Sequence, residues 1–343
     1  MLHFISSLFT TAPPDPNGPD EALLKAAIER VVDGTDRRLR GLGNYRKRLM
    51  SPVEAAVVHV LALVDGLPEA TEISRRAYGS DPRLRAFFVS ADDLQEKVGG
   101  SKGVGDFLKT QSGPPPEEIF GVLTMEWEQR NVLGMQLQGD VVQRDVPQVV
   151  VNFHSHRYFG PAASEEENRW QGKVRIFDHL IERALERIVA TRSKRTELEY
   201  QRSLLQRKLA AMKRGDWGLE PMLADVEHKQ QDPAALEAEI DTIEKELLEL
   251  GARPIELEQT LQHIIDTLGH ASEWIDVRKT TVTLNRMSIK TADLQAAGAS
   301  RLELNELYSS TGSETRILLP GRFPRQDLPE RPDFLKEAQR YLG

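Results

Sequence analysis

The sequence predicts an α-rich α+β protein with three parts: a helical N-terminal domain, a long antiparallel coiled-coil hairpin and a small antiparallel β-containing C-terminal unit. Three observations carry that expectation. Apolar residues recur at three- and four-residue steps through residues 21–32, 173–212 and 236–268, the period of a helix with one buried face. From Lys173 to Arg214 there is neither glycine nor proline, so nothing in the chain chemistry interrupts a very long helix. After Trp274 the period drops to two, as in half-buried strands.

Composition narrows the function classes. The 343 residues are 29% charged and only 6% aromatic, with a mean hydropathy of −0.44, which suits solvated helices better than a compact sheet-centred enzyme. The chain has no cysteine, which excludes a disulfide scaffold, a thiolate zinc site, an iron–sulfur cluster and a thiol nucleophile. No cofactor is expected. Met1–Phe9 is apolar but holds no Lys or Arg, so it lacks the charged flank of a secretory signal, and no run reaches the ~18–20 apolar residues of a membrane span. The expected location is cytoplasmic, with membrane contact restricted to what residues 1–9 offer.

Residues 1–19 read as this apolar segment plus a stiff linker, since Thr11–Pro19 holds four prolines and a glycine. Residues 20–170 read as the helical domain. Asp20 is the expected N-cap of a helix whose Leu24, Ala27, Ile28, Val31 and Val32 share one face. Ser51-Pro52 marks the start of a second helix reaching about Val64, with Ser at the N-cap and Pro at the first helical position. Short helices are expected at Glu72–Tyr78 and Ala91–Val98. Gly99–Gly105 reads as a flexible connector because it lacks the spacing of a phosphate-binding loop. Glu118–Gln138 is expected to be helical, and the valine-rich run at 146–154 fits a short strand.

Residues 171–270 read as the hairpin. Leu236, Ile240, Ile243, Leu247, Leu250, Pro254, Leu257, Leu261, Ile264 and Leu268 alternate steps of four and three, a heptad seam that only Pro254 breaks. The preceding arm, Lys173–Arg214, has twelve basic residues to five acidic, a net +7, and Asp232–Leu268 has ten acidic to two basic, a net −8. Opposite charge on two consecutive helices favours their folding back antiparallel, with an interruption expected at Gly251-Ala-Arg-Pro254. Residues 271–343 form the β unit, with strands expected at Thr280–Leu284, Arg301–Asn305 and Thr315–Leu319 and a closing helix at Asp333–Tyr341.

Four constellations are candidates for function. Trp217, Leu219 and Met222 lie at the turn of the expected hairpin, where an aromatic anchor suits partner binding. Arg37, Arg38, Arg40, Arg46, Lys47 and Arg48 surround Tyr45, a combination able to hold phosphates and stack on a base. Glu72-Ile-Ser-Arg-Arg-Ala77, followed by Ser80, Leu84, Phe88, Ser90 and Leu94, resembles the helix-turn-helix spacing of TetR-type repressors. It departs from that pattern at Tyr78, Arg85 and Pro82. The resemblance implies DNA contacts from Arg75, Arg76, Arg83 and Arg85. His154-Ser-His156 closes the valine run; strand alternation would put both imidazoles on one face, able to share a metal. The pair resembles the opening of the amidohydrolase metal site, a resemblance limited to these two residues.

The function that follows is a non-enzymatic scaffold or adaptor whose hairpin meets a protein partner or a second copy of the chain as a homo-oligomer. The alternatives are nucleic-acid binding by the basic N-terminal domain and metal-dependent hydrolysis at His154 and His156.

Overall fold

The computed structural model describes residues 20–111, 113–138, 141–214, 233–249, 256–291, 298–310 and 315–329. The chain is an α+β protein. In order, its elements are helices α1 (Glu21–Gly34) and α2 (Tyr45–Asp65), strand β1 (Thr71–Glu72), and the short helices α3 (Arg75–Tyr78), α4 (Pro82–Phe87), α5 (Ala91–Val98) and α6 (Lys102–Thr110). Strands β2 (Glu118–Gln138) and β3 (Val141–Ala162) follow, then the helices α7 (Glu165–Arg214), α8 (Pro233–Glu249), α9 (Glu256–Gly269) and α10 (Ala271–Trp274). Strands β4 (Ile275–Leu284), β5 (Ser300–Ser309) and β6 (Arg316–Pro324) follow, ahead of a short 3-10 helix at Arg325–Asp327. These elements form two compact units, one from residues 57–177 and 271–343, the other from 20–56 and 178–270.

The first unit is a curled antiparallel five-strand half-barrel in the order β3-β2-β6-β5-β4, with β1 added parallel to β6. Curling brings the segment that follows β4 to the other outer strand, β3: Val151 N–H donates to the Ser288 carbonyl and Lys290 N–H to the Val149 carbonyl, each at 2.8 Å. The inner face carries Ile119, Leu123, Met125, Val151, Phe153, Leu302, Leu304, Ile317, Leu319 and Phe323, and it is filled by Ile73 and by Leu84, Phe87, Phe88, Leu94, Val98 and Val104 from the α3–α6 region.

Several expectations change. Glu118–Gln138 is a strand and not a helix, because alternate residues from Ile119 to Met125 meet the core and the segment pairs with β3 along its length and with β6 through Glu126; long-range pairing overrides an ambiguous local pattern. The region 20–170 is therefore not wholly helical, and its strand content extends far beyond 146–154. Nor do the last three strands form a separate small unit: β6 lies between β2 and β5 in one sheet. Gly103 and Gly105 belong to α6 rather than to a connector, since the Ser101 hydroxyl caps the Val104 amide and Val104 is fully buried. Helix α2 starts at Tyr45, not Pro52. Its buried stripe of Tyr45, Leu49, Val53, Ala56, Val57 and Val60 runs through the proline, and that burial offsets the roughly 3 kcal/mol an interior proline costs. The expected helix at 333–341 lies outside the described residues.

One feature organises the sheet. Gly121 and Gly321 face each other across β2 and β6. A Cβ on Gly121 would lie 2.5 Å from the Tyr158 ring, and one on Gly321 would collide with the Ile73 side chain. The missing side chains leave a depression on the inner face into which Tyr158 lies flat, its hydroxyl 2.8 Å from the Ile119 carbonyl and 2.9 Å from that of Gly321. Pro320, which has no amide hydrogen, falls where β6 has left β5 at Leu318 and has not yet met β1 at Gly321.

The second unit is helical. The Asp20 side chain caps α1, as expected. Helix α7 is fifty residues long and begins at Glu165, earlier than the pattern suggested. Its residues in this unit meet the returning helices in reverse order: Arg187 bonds Thr267, Thr191 bonds His263, Arg192 bonds Thr260, and Leu198 packs with Ile243 and Leu247. Lys194 lies 3.6 Å from Glu246. The interruption expected at Gly251-Ala-Arg-Pro254 lies outside the described residues.

Gly121→Ala should destabilise the sheet unit by about 2 kcal/mol through overpacking against Tyr158. The control Gly43→Ala, whose Cβ meets nothing within 4 Å, should change stability little; urea denaturation of both variants checks the difference.

Candidate functional site

Trp217, Leu219 and Met222 lie outside the described residues. The basic residues are described, and most are engaged with carboxylates. Arg37 pairs with Asp33 at 3.2 Å, Arg38 with Asp36 at 2.7 Å, Arg40 with Glu29 at 2.8 Å and Arg46 with Glu29 at 2.9 Å, while Arg48 pairs with Glu258. Tyr45 is buried and donates to Glu29 at 2.8 Å, and the Arg46 guanidinium lies over its ring, 5.5 Å from the centroid. Asp36 is the centre of this network. It is 8% exposed and accepts from both Arg38 and Arg192, and the Arg38 guanidinium above all holds its carboxyl well below the usual range.

The segment resembling a helix-turn-helix is built into the sheet unit. Residues 71–72 are a strand on β6, the counterpart of a recognition helix is the six-residue α4, and its Leu84 and Phe87 are core residues. Arg75 pairs with Asp92, Arg83 with Asp81, and Arg85 donates to the Gly79 carbonyl; Arg76 is exposed.

His154 and His156 do not share a face. Thr124 is opposite Arg157 and Glu126 is opposite His154, so Met125 faces two residues of β3, Ser155 and His156. Ser155 absorbs the extra residue with a positive φ of 55°, a β-bulge that reverses the alternation. His154 lies beside Glu126, with Nδ1 3.6 Å from the carboxylate. His156 points inward, its ring 4.9 Å from that of Phe88. Burial, reinforced by the nearby Lys97 charge, pushes the His156 pKa down to about 4. Among the described residues no group of three His, Asp or Glu side chains could hold a metal ion, and the two imidazoles on opposite faces cannot chelate one together.

The sequence reading missed a cavity of about 490 Å³ on the outer face of the sheet. Phe120, Val122 and Thr124 of β2 and Leu318 and Pro320 of β6 form its floor; Leu63, Val64 and Leu67 and the first turns of α7 wall it in. Arg169 ties those walls together, donating to the carbonyls of Val64 in the last turn of α2 and of Pro68 just beyond it, each at 2.8 Å, while pairing with Glu165. Lys173 pairs with Asp65 at 2.9 Å. Gly172 adds to the space: a Cβ there would find its nearest neighbour, Val64 Cγ1, at 4.0 Å, so the glycine costs the helix about 1 kcal/mol relative to alanine and widens the cavity. A signal was present in the sequence. Ile119-Phe120-Gly121-Val122-Leu123 and Ile317-Leu318-Leu319-Pro320 are apolar at successive positions, the mark of strands covered on both faces.

No family model, curated protein or solved structure matches the chain. Among the described residues no helix is long and apolar enough to cross a membrane.

The buried ionisable groups make stability depend on pH in two ways. His156 has a folded pKa below its unfolded 6.5, so stability is full above pH 6.5 and falls as the pH drops toward 4, by on the order of 1–3 kcal/mol. His156→Phe should flatten that window in pH-dependent thermal melts. Asp36→Asn should cost about 1–2 kcal/mol, because Arg38 and Arg192 lose this carboxylate but keep Glu256, and should remove the part of the stability that the wild type loses below about pH 4.

Proposed function

We propose that this is a non-enzymatic protein-interaction or assembly protein of the cytoplasm, in which α7 and α8 form a coiled-coil hairpin that meets a protein partner or a second copy of the chain. The observation that carries this reading is the apolar character left on the solvent side of the paired helices. Tyr200 is 65% exposed, Leu204 52% and Leu248 80%, although Leu198, Ile243 and Leu247 already fill the seam between the helices. Tyr200 and Leu204 are four residues apart and so share one face of α7. Exposed apolar residues grouped in this way suit contact with a further helix. Trp217, Leu219 and Met222, in the segment joining the two helices, are proposed to add specificity at the turn.

The two other readings have less support. The arginines of a nucleic-acid surface are largely neutralised by neighbouring carboxylates, and a metal-dependent hydrolase would require His154 and His156 on one face.

Sedimentation equilibrium, with affinity capture from lysate alongside it, tests the proposal. Tyr200→Lys combined with Leu204→Lys should leave the helix content unchanged by circular dichroism and abolish whichever association the wild type shows. A wild type that is monomeric and captures nothing, or a double variant that associates normally, contradicts it.

A further inference from the structure

We infer that the cavity on the outer face of the half-barrel binds a fatty acid, with its acyl chain against the sheet and its carboxylate at the cationic mouth. The inference is independent of the assembly reading, since the cavity is built entirely from the sheet unit.

Size and lining suggest an apolar ligand. About 490 Å³ falls in the ~300–1,000 Å³ range of small-molecule sites, and the floor formed by Phe120, Val122, Leu318 and Pro320 offers neither donor nor acceptor from its side chains. The polar side chains deeper in the wall are already used within the protein: Asn168 donates to the Gly160 carbonyl at 2.6 Å, and Arg169 is held by Glu165 and backbone carbonyls. Along this floor a ligand rich in hydrogen-bonding groups would find only the Thr124 hydroxyl to pair with.

Charge and an orphaned hydroxyl indicate the head group. The acidic residue of the lining, Glu165, is paired with Arg169, and Arg316 of the lining is paired with Glu126. Arg157 and Arg175 line the mouth, are exposed, and have no carboxylate within ion-pair distance among the described residues. Opposite Arg157 across the β2–β3 pair is Thr124. Its side chain faces the cavity and is only 7% exposed, and its Oγ1 has no hydrogen-bond partner. A buried hydroxyl without a partner is unfavourable in the empty protein and is satisfied by donation to a ligand oxygen. A carboxylate accepts at once from a hydroxyl and from a guanidinium, which matches Thr124 beside Arg157. An unbranched aliphatic chain matches the rest.

Isothermal titration calorimetry of the full chain with dodecanoate, below its micelle concentration, tests the assignment. One saturable site is expected, tightening roughly three- to fourfold for each methylene added between octanoate and dodecanoate. Dodecanol should bind about tenfold more weakly. Arg157→Gln combined with Arg175→Gln, two surface changes, should erase the preference for the acid over the alcohol while leaving the chain-length dependence. Thr124→Val should raise the melting temperature of the ligand-free protein and weaken dodecanoate several-fold, a pairing of effects that a purely structural threonine would not give. Gly172→Leu places a side chain in the cavity at a helical position with room for its Cβ; it should melt no lower than wild type and bind no dodecanoate. Absence of saturable binding overturns the inference. So do equal affinity for dodecanol, a Gly172→Leu protein that still binds, or association confined to phosphatidylglycerol vesicles with none of the free acid.

Discussion

The sheet unit depends on a tyrosine lying where two glycines leave room for it. Gly121 and Gly321 are two hundred positions apart in the chain yet directly opposite in the sheet. Only their lack of side chains lets the Tyr158 ring and Ile73 come down onto the inner face. Burial pushes the Tyr158 phenol pKa up, so the hydroxyl keeps its proton to offer to the Ile119 and Gly321 carbonyls. One side chain from β3 is thereby fastened across β2 to β6. A sheet pinned across three strands at its inner face is held in a curl, and the curl is what brings the segment after β4 within hydrogen-bonding distance of β3.

The same arrangement explains the outer face. Strand alternation means that the residues flanking the two glycines point the other way: Phe120 and Val122 around Gly121, and Pro320 just before Gly321. These are the floor of the cavity. Inner core and outer cavity are therefore two consequences of one register, and a slip of a single residue would exchange them. The walls are set separately, by Arg169 and Lys173 of α7 reaching the end of α2. The cavity thus has a floor fixed by long-range pairing and walls fixed by ion pairs and helix-end carbonyls.

What was legible in the sequence follows the range of the interactions involved. Helices announced by local signals were readable: Asp20 as a cap, the Ala91–Val98 segment, and the seam of Leu236, Ile240, Ile243 and Leu247, which is buried. The opposite charges of the two arms correspond to contacts such as Lys194 with Glu246. Strands after Trp274 were readable from their period, but their partner was not, because nothing local in Ile317–Phe323 points to Ile119–Met125. The histidine pair failed for a different reason. Alternation is a sound rule until a bulge breaks it, and the bulge at Ser155 occupies the one residue between the two imidazoles. The mistaken helix at Glu118–Gln138 also hid the cavity, since its floor exists only if that segment is a strand. The basic cluster shows the same limit: Asp33, Asp36 and Glu29 were visible as nearby carboxylates, but only the fold brings Glu256, Glu258 and Arg192 to the cluster.

The central claim is the seating of Tyr158 over Gly121, and proton NMR tests it most directly. With the ring seated there, the Tyr158 ring current shifts the Gly121 α-protons strongly upfield, and nuclear Overhauser contacts connect the ring to Gly121 and the hydroxyl proton to the neighbourhood of Gly321. Gly121 α-protons at ordinary glycine shifts, with no contact to an aromatic ring, would contradict it.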